Sequence, residues 1–235
     1  MTVLVTGAGG FLGGAVARQL VERGETVRSF SRGEYPALAA MGIDVRRGDL
    51  ADSDAVLAAA DGCDAVIHVA ARPGIWGKWD DYHRPNVLGT DNVIAACRTH
   101  GIGRLVFTSS PSVVVATEHT EAGDESLPYP SRYPAHYPAT KALAEQAVLA
   151  ANDATLSTVA LRPHLVWGPG DNHLLPRMVT RSRAGKLALL GSGDNMVDTT
   201  WIEDAARAHL LALDRLEPGA ACAGRAYFIT QGEPR

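Results

Sequence analysis

Short apolar, β-branched runs alternate along the chain with longer segments whose apolar residues return every three or four positions. The runs predict strands at 2–6, 26–30, 43–46, 65–70, 104–109 and 157–162. The longer segments predict helices near 11–23, 53–60, 86–99 and 137–151. Such alternation predicts an α/β fold, a doubly wound parallel sheet with crossover helices on both faces. Residues 65–70 (Ala-Val-Ile-His-Val-Ala) and 105–109 (Leu-Val-Phe-Thr-Ser) are nearly continuous apolar runs, as expected of strands covered on both sides. Ligands of such sheets bind beyond the carboxyl ends of the strands. There the chain places Gly7 to Gly10, Arg32, Asp49, Ala70, Ala71, Ser109, Ser110 and Pro163.

After residue 163 the pattern becomes irregular. Residues 167–170 (Trp-Gly-Pro-Gly) read as a turn, 187–190 are compatible with a short strand, and 226–230 read as a final strand. Residues 200–213 read as an approach segment and a helix, with Ala205, Ala208, His209 and Ala212 spaced for burial. This tail is too short for an independent domain. The expectation is a division into residues 1–163, carrying the sheet and its chemistry, and 164–235, a partial cap interleaved with the last strands. There are no internal repeats and no low-complexity linker.

Composition narrows the function classes. The chain has 235 residues, 46% hydrophobic and 20% charged, with net charge −4. That is enough for a sizeable core and offers no basic face for nucleic acid. No apolar run reaches the ~18 residues of a membrane span, and the chain opens directly on a strand, so no signal peptide is visible. Cys63, Cys97 and Cys222 are scattered, odd in number and without metal spacing. They predict buried free thiols in a reducing, cytoplasmic setting, and no metal.

Two motifs carry chemistry. Residues 2–6 lead straight into glycines at Gly-x-x-Gly-x-x-Gly spacing, Gly7, Gly10 and Gly13, and an amphipathic helix follows. Gly7 permits the tight turn, Gly10 lets backbone approach a pyrophosphate, and Gly13 lets helix and strand pack closely. The helix N-terminus, with the backbone of Phe11 and Leu12, suits phosphates. Further on, Tyr137 and Lys141 are one helical turn apart on the same face. An ammonium beside a phenol favours the phenolate, so the tyrosine is expected to exchange a proton nearer neutral pH.

Taken with Gly48-Asp49-Leu50, His68-Val69-Ala70-Ala71, the Asn86-Val-x-Gly-Thr90 run, Thr108-Ser109-Ser110 and Arg162-Pro163, these motifs resemble the extended short-chain dehydrogenase/reductase superfamily. Within it the chain is most similar to the 3β-hydroxysteroid dehydrogenase-like branch, and there to the bacterial reductases of long-chain olefin biosynthesis. The resemblance covers essentially the whole chain. It implies a Rossmann-type fold and hydride transfer between a nicotinamide cofactor and a ketone, here a long-chain 2-alkyl-3-oxoalkanoic acid. It implies Tyr137 as proton donor, Lys141 lowering its pKa and binding the nicotinamide ribose, and Ser110 holding the substrate oxygen. Asp49 and Leu50 would contact adenine, Ala70 and Ala71 the cofactor, Asn86 the active-site backbone, and Pro163 with Val166 the nicotinamide side. It further implies cap helices beyond Arg235 and leaves open a homodimer and association with other olefin-pathway enzymes.

Several residues keep a plainer alternative. Ser110 can simply satisfy a strand end, and Thr108 and Ser109 compete with it as hydroxyls. Asn86 can be a helix cap and Asp49 a turn residue. His68 is expected to be a satisfied core histidine. His164 is a weak candidate for facing substrate, and 118–125 reads as a solvated acidic loop. Trp76 and Trp79 lie in an expected loop over 74–81, packing on the cap or lining an apolar site together with Trp167. Where an NAD site usually has an acidic residue, β-strand two ends in Ser31-Arg32, which suits a 2′-phosphate and favours NADP, with NAD as the alternative since Glu34 is near. Pro111-Ser112 argues against a sugar dehydratase. An epimerase stays open, with Arg177, Arg181 and Arg183 as candidate cationic groups. So does a non-enzymatic dinucleotide-binding protein, which retention of both Tyr137 and Lys141 disfavours.

Overall fold

In a computed structural model, which describes residues 1–115, 123–171, 174–188 and 196–234, the strand and helix patterns alternate as the sequence suggests. The strands are β1 (Thr2–Thr6), β2 (Thr26–Ser31), β3 (Asp44–Arg47), β4 (Ala65–His68), β5 (Arg104–Thr108), β6 (Ser157–Pro163), β7 (Val166–Trp167), β8 (Thr200–Trp201) and β9 (Arg225–Ile229). The helices are α1 (Phe11–Glu22), α2 (Pro36–Ala40), α3 (Ser53–Ala60), α4 (Trp79–His83), α5 (Gly89–Thr99), α6 (His136–Ala150), α7 (Leu174–Arg183) and α8 (Ile202–Arg215). Seven strands form one parallel sheet in the order β3-β2-β1-β4-β5-β6-β9, and β7 pairs with β8 apart from it. The order reverses between β1 and β4, and that switch point opens the binding crevice.

The period of two in each strand splits the core in two. Val3, Val5, Ile67, Val106 and Val159 pack with Val16 and Leu20 of α1 and Ile202, Leu210 and Leu213 of α8. Leu4, Val66, Leu105, Phe107 and Ala160 pack with Val56 of α3, Val93 of α5 and Val148 of α6. Both neighbours of a central strand residue are therefore apolar, which is why β4 and β5 read as unbroken hydrophobic runs. Each such side chain contributes roughly 1.5–3 kcal/mol on full burial.

Two regions differ from the sequence pattern. The helix expected from 86 starts earlier, at α4, so Trp79 lies on a helix rather than in a loop; Trp76 remains in a loop. Between α4 and α5 the rod widens into one π turn, Arg84–Leu88. Pro85 has no N–H for the ladder there, and the wider turn accommodates the gap. In the tail, α7 was not anticipated. Residues 187 and 188 are not in a strand, and the rest of the short strand considered at 187–190 lies outside the described residues, as do 118–122 of the acidic loop. The final strand does form: β9 lies in register against β6, Leu161 opposite Tyr227, and α8 packs on α1. This part of the tail completes the sheet and one helical layer.

Cys63 and Cys97 are buried free thiols; Cys222 is only half-buried. Among the described residues there is no cluster of potential metal ligands, and no helix is long and apolar enough to cross a membrane.

Candidate active site

A cleft of about 670 Å³ runs along the carboxyl ends of β1, β2 and β4. Gly7, Gly10, Phe11, Leu12, Gly13, Ser31, Arg32, Asp49, Leu50, Ala70, Ala71 and Tyr137 all line it. The glycine loop is tight: Gly7 has φ +73°, and a Cβ on it would stand 2.8 Å from the Ala70 Cα. A Cβ on Gly13 would stand 2.2 Å from the Gly7 carbonyl oxygen. Helix α1 begins at Gly10 with no side-chain cap and no acid in its first turn, which leaves its amides to an anion. At the far side the buried Ser31 Oγ has no hydrogen-bond partner among the described residues. Glycines where a side chain would fill the cradle, uncapped amides and an orphaned hydroxyl together fit a dinucleotide.

At the other end, α6 opens with Tyr137 in its first turn and Lys141 one turn on. Ser110 precedes a short 3₁₀ turn, Pro111–Val113, with its Oγ 2.8 Å from the Ser112 Oγ and accepting from the Ser112 amide at 3.3 Å. Of the three adjacent hydroxyls, Ser110 is the one close enough to Tyr137 to favour its phenolate. The Thr108 hydroxyl turns instead to His209, 2.7 Å away, and the Ser109 hydroxyl is buried with no partner among the described residues.

The electrostatics differ from the simple expectation. Burial raises the Tyr137 phenol above its ordinary value, and the Ser110 hydroxyl only partly opposes it. The contacts of the Lys141 ammonium lie elsewhere. That ammonium donates to the Thr108 carbonyl at 2.6 Å and stands 3.9 Å from the centre of the Phe107 ring. Burial drops Lys141 itself to about 7, opposed by Glu145 one turn along. Glu145 is held in turn by Arg162 at 2.6 Å and by the Tyr129 hydroxyl at 2.7 Å.

Behind the pair lies a closed polar network. Asn86 is a latch rather than a helix cap: its Oδ1 accepts from the Arg72 amide at 2.7 Å, and its Nδ2 donates to the Arg72 carbonyl and to Thr140 Oγ1. Thr140 then donates to the Tyr137 carbonyl at 3.0 Å. His68 is a satisfied core histidine between Thr6 and Thr90, at 2.6 and 3.1 Å. Because Thr90 already gives its proton to the Asn86 carbonyl, His68 must donate through Nε2 and accept at Nδ1. Burial, followed by Lys141, pushes His68 down to about 3.

Other expected residues fall elsewhere. Pro163 ends β6 and Val166 is half-buried in β7; neither lines the cleft. Asp49 is both cleft wall and turn residue, since its Oδ1 accepts from the Ala51 amide. His164 is engaged by the Asp198 carbonyl. Trp76 is 87% exposed, and Trp167 stacks edge-on to Trp201. Sequence reasoning missed Tyr35, whose ring lies so close to Gly9 that a Cβ there would be 2.1 Å from it. No periodic signal marks that contact, which joins a loop to the glycine turn.

Comparison with known proteins agrees with this geometry. The model of the 3-beta hydroxysteroid dehydrogenase/isomerase family matches residues 4–235. A 2-alkyl-3-oxoalkanoate reductase of Stenotrophomonas maltophilia is 60% identical over the whole chain, which spans 72% of that protein's length. One from Shewanella oneidensis is 48% identical over 98% of the chain, which spans 62% of its length. Among solved structures, a Thermus thermophilus UDP-glucose 4-epimerase in complex with NAD superposes on 100% of the chain and 79% of its own, with TM-score 0.82 and 28% identity. The sheet order, the glycine cradle and the Tyr137–Lys141 helix are thus those of an extended short-chain dehydrogenase/reductase, and the chain belongs to the 3-beta hydroxysteroid dehydrogenase/isomerase family.

Proposed function

We propose that this chain reduces a long-chain 2-alkyl-3-oxoalkanoic acid to the 3-hydroxy acid with NADPH. The observation that carries the reading is Tyr137 lining the end of a dinucleotide cleft, with Ser110 beside it and Lys141 one helical turn on. The names of the two bacterial relatives supply the substrate class. A bound nicotinamide supplies hydride to the ketone carbon. Ser110 holds the ketone oxygen and Tyr137 gives it the phenolic proton, a positioned acid and an oxyanion donor in one place. Lys141, charged below about pH 7, stabilises the phenolate left behind and holds the ribose hydroxyls. Phe11 and Leu12 amides take the pyrophosphate, Asp49 and Leu50 the adenine, and Arg32 with Ser31 the 2′-phosphate. Ala70 and Ala71 wall the nicotinamide side, and Asn86 supports it through the Arg72 backbone. Residues 1–163 carry this machinery, and the segment from 164 contributes to the substrate side.

The test is kcat/KM over a series of 2-alkyl-3-oxo acids of rising length. Each buried methylene contributes about 0.8 kcal/mol, so efficiency should climb by roughly fourfold per carbon until the apolar site is full. A flat profile, with turnover of a nucleotide sugar instead, would replace the reductase by an epimerase.

A further inference from the structure

Lys141 is held from one side of the sheet by an acceptor that is itself fixed from the other side. The Lys141 ammonium comes from α6 and donates to the Thr108 carbonyl at 2.6 Å. The Thr108 side chain, at the very end of β5, points across to α8, where its hydroxyl is 2.7 Å from His209 Nε2. His209 Nδ1 lies 2.7 Å from the Ala205 carbonyl one turn back on α8. A carbonyl only accepts, so Nδ1 carries the proton and Nε2 is bare. The threonine hydroxyl therefore donates to the imidazole. His209 is 0% exposed and Thr108 9%.

We propose that His209 is a positioning residue: as a neutral acceptor it locks the Thr108 rotamer, and through it the carbonyl that orients the Lys141 ammonium. Burial keeps the imidazole neutral, pushing it down to about 4 against the backbone bond to Ala205, so the acceptor persists throughout the working pH range. The role rests on the reductase reading for its effect on rate, but not for its effect on Lys141. A histidine serving only to fill space would make a different prediction, because leucine fills similar space without an acceptor. Glutamine can keep both bonds: Gln146 in α6 already donates to the Ala142 carbonyl four residues back, and such a side chain leaves its Oε1 for the hydroxyl.

The experiment compares His209→Leu and His209→Gln in protein labelled with ¹⁵N-lysine. Lys78 and Lys186, the other lysines, are exposed and serve as internal references. At pH 6 the wild type should show one slowly exchanging ammonium resonance, absent in Lys141→Met. His209→Leu should lose or shift that resonance and slow keto-acid reduction by about tenfold or more, the scale of a sub-ångström misplacement. His209→Gln should keep the resonance and reduce at a rate within about twofold of wild type. Resonance and rate unchanged in His209→Leu, or equal losses in both variants, would overturn the proposal. If His209→Leu does not fold, Thr108→Val carries the same test: it should lose the resonance, and a wild-type spectrum would overturn the role. A wild type that reduces no ketone would refute the reductase reading alone, because the resonance arm needs no turnover.

Discussion

At the β5–α6 end of the cleft, the groups that support Tyr137 and Lys141 are closed off from water, while at the β2–β3 end the charged side chains stand in it. Lys141 is 2% exposed, Asn86 1%, and Thr140 and His209 0%. Each is bonded to a named buried partner. At the other end Arg47 pairs with Glu34 at 2.7 Å with side chains 64% and 77% exposed, and Arg32 is exposed too. A partner lost in the dry end strands a buried polar group, at about 1–3 kcal/mol. A partner lost in the wet end costs about 0–1 kcal/mol, because water replaces it. In the proposed reaction one end would therefore fix geometry and govern rate. The other would adjust affinity.

The dry end should respond most. Tyr137→Phe removes only the phenolic oxygen, leaving the glycine cradle and Lys141 in place. Turnover should fall by about 10²-fold or more, with NADPH affinity changed by less than about threefold. Steady-state kinetics with a fluorescence titration of the cofactor measures both. Near wild-type turnover would take the proton-transfer role away from Tyr137.

The buried His68 and His209 give the same end a pH signature. Their folded values, about 3 for His68 and about 4 for His209, lie below the ordinary 6.5. As pH falls below 6.5 the unfolded chain takes up these protons first, so stability present above that pH is lost on acidification. The loss is about 1.4 kcal/mol per pH unit for each histidine, continuing until the folded values are reached. Urea unfolding between pH 7 and 5 should show this slope, and His209→Gln should remove about half of it. A stability independent of pH over that window would mean the imidazoles are accessible in the native state.

The difference between the ends also decides how much of each could be read from the sequence. The cleft was legible because its signals are local. Gly7, Gly10 and Gly13 follow one strand, and Tyr137 and Lys141 share one helical turn. β4 and β5 announced themselves by being apolar on both faces. The network behind Tyr137 and Lys141 was not legible, because it joins Thr6 to His68 across 62 positions and Thr108 to His209 across 101. Nothing in the spacing of His209 along α8 distinguishes a buried acceptor from an apolar neighbour. Asn86 could be seen as polar and early in a helix, but its bonds to the Arg72 backbone depend on the π turn that Pro85 imposes. Helix α4 was hidden because two glycines and two tryptophans in eight residues look like a loop.

In the wet end, Arg32→Ala should weaken NADPH binding by about ten- to a hundredfold, the value of a charge-assisted guanidinium–phosphate contact, and leave NADH within about threefold. Equal losses for both cofactors would place Arg32 outside the phosphate site and return the preference to NAD.

The smallest effect belongs to the carboxylate beside it. Glu34 stands two residues past Arg32, and Arg47 holds both, its Nη1 on the carboxylate and its Nε on the Arg32 carbonyl at 2.9 Å. The pair neutralises a charge that would otherwise repel the proposed 2′-phosphate. Glu34→Gln removes that charge and frees the Arg47 guanidinium to face the phosphate. With both groups in water, the gain in NADPH affinity should be no more than about threefold and should shrink in 0.5 M salt, where the screening length is only about 4 Å. NADH, lacking the phosphate, should be indifferent. Isothermal titration at low and high salt reads the difference. A change larger than tenfold would mean that the site is drier when cofactor is bound than the exposure of these side chains suggests, and would bring the two ends of the cleft closer in character.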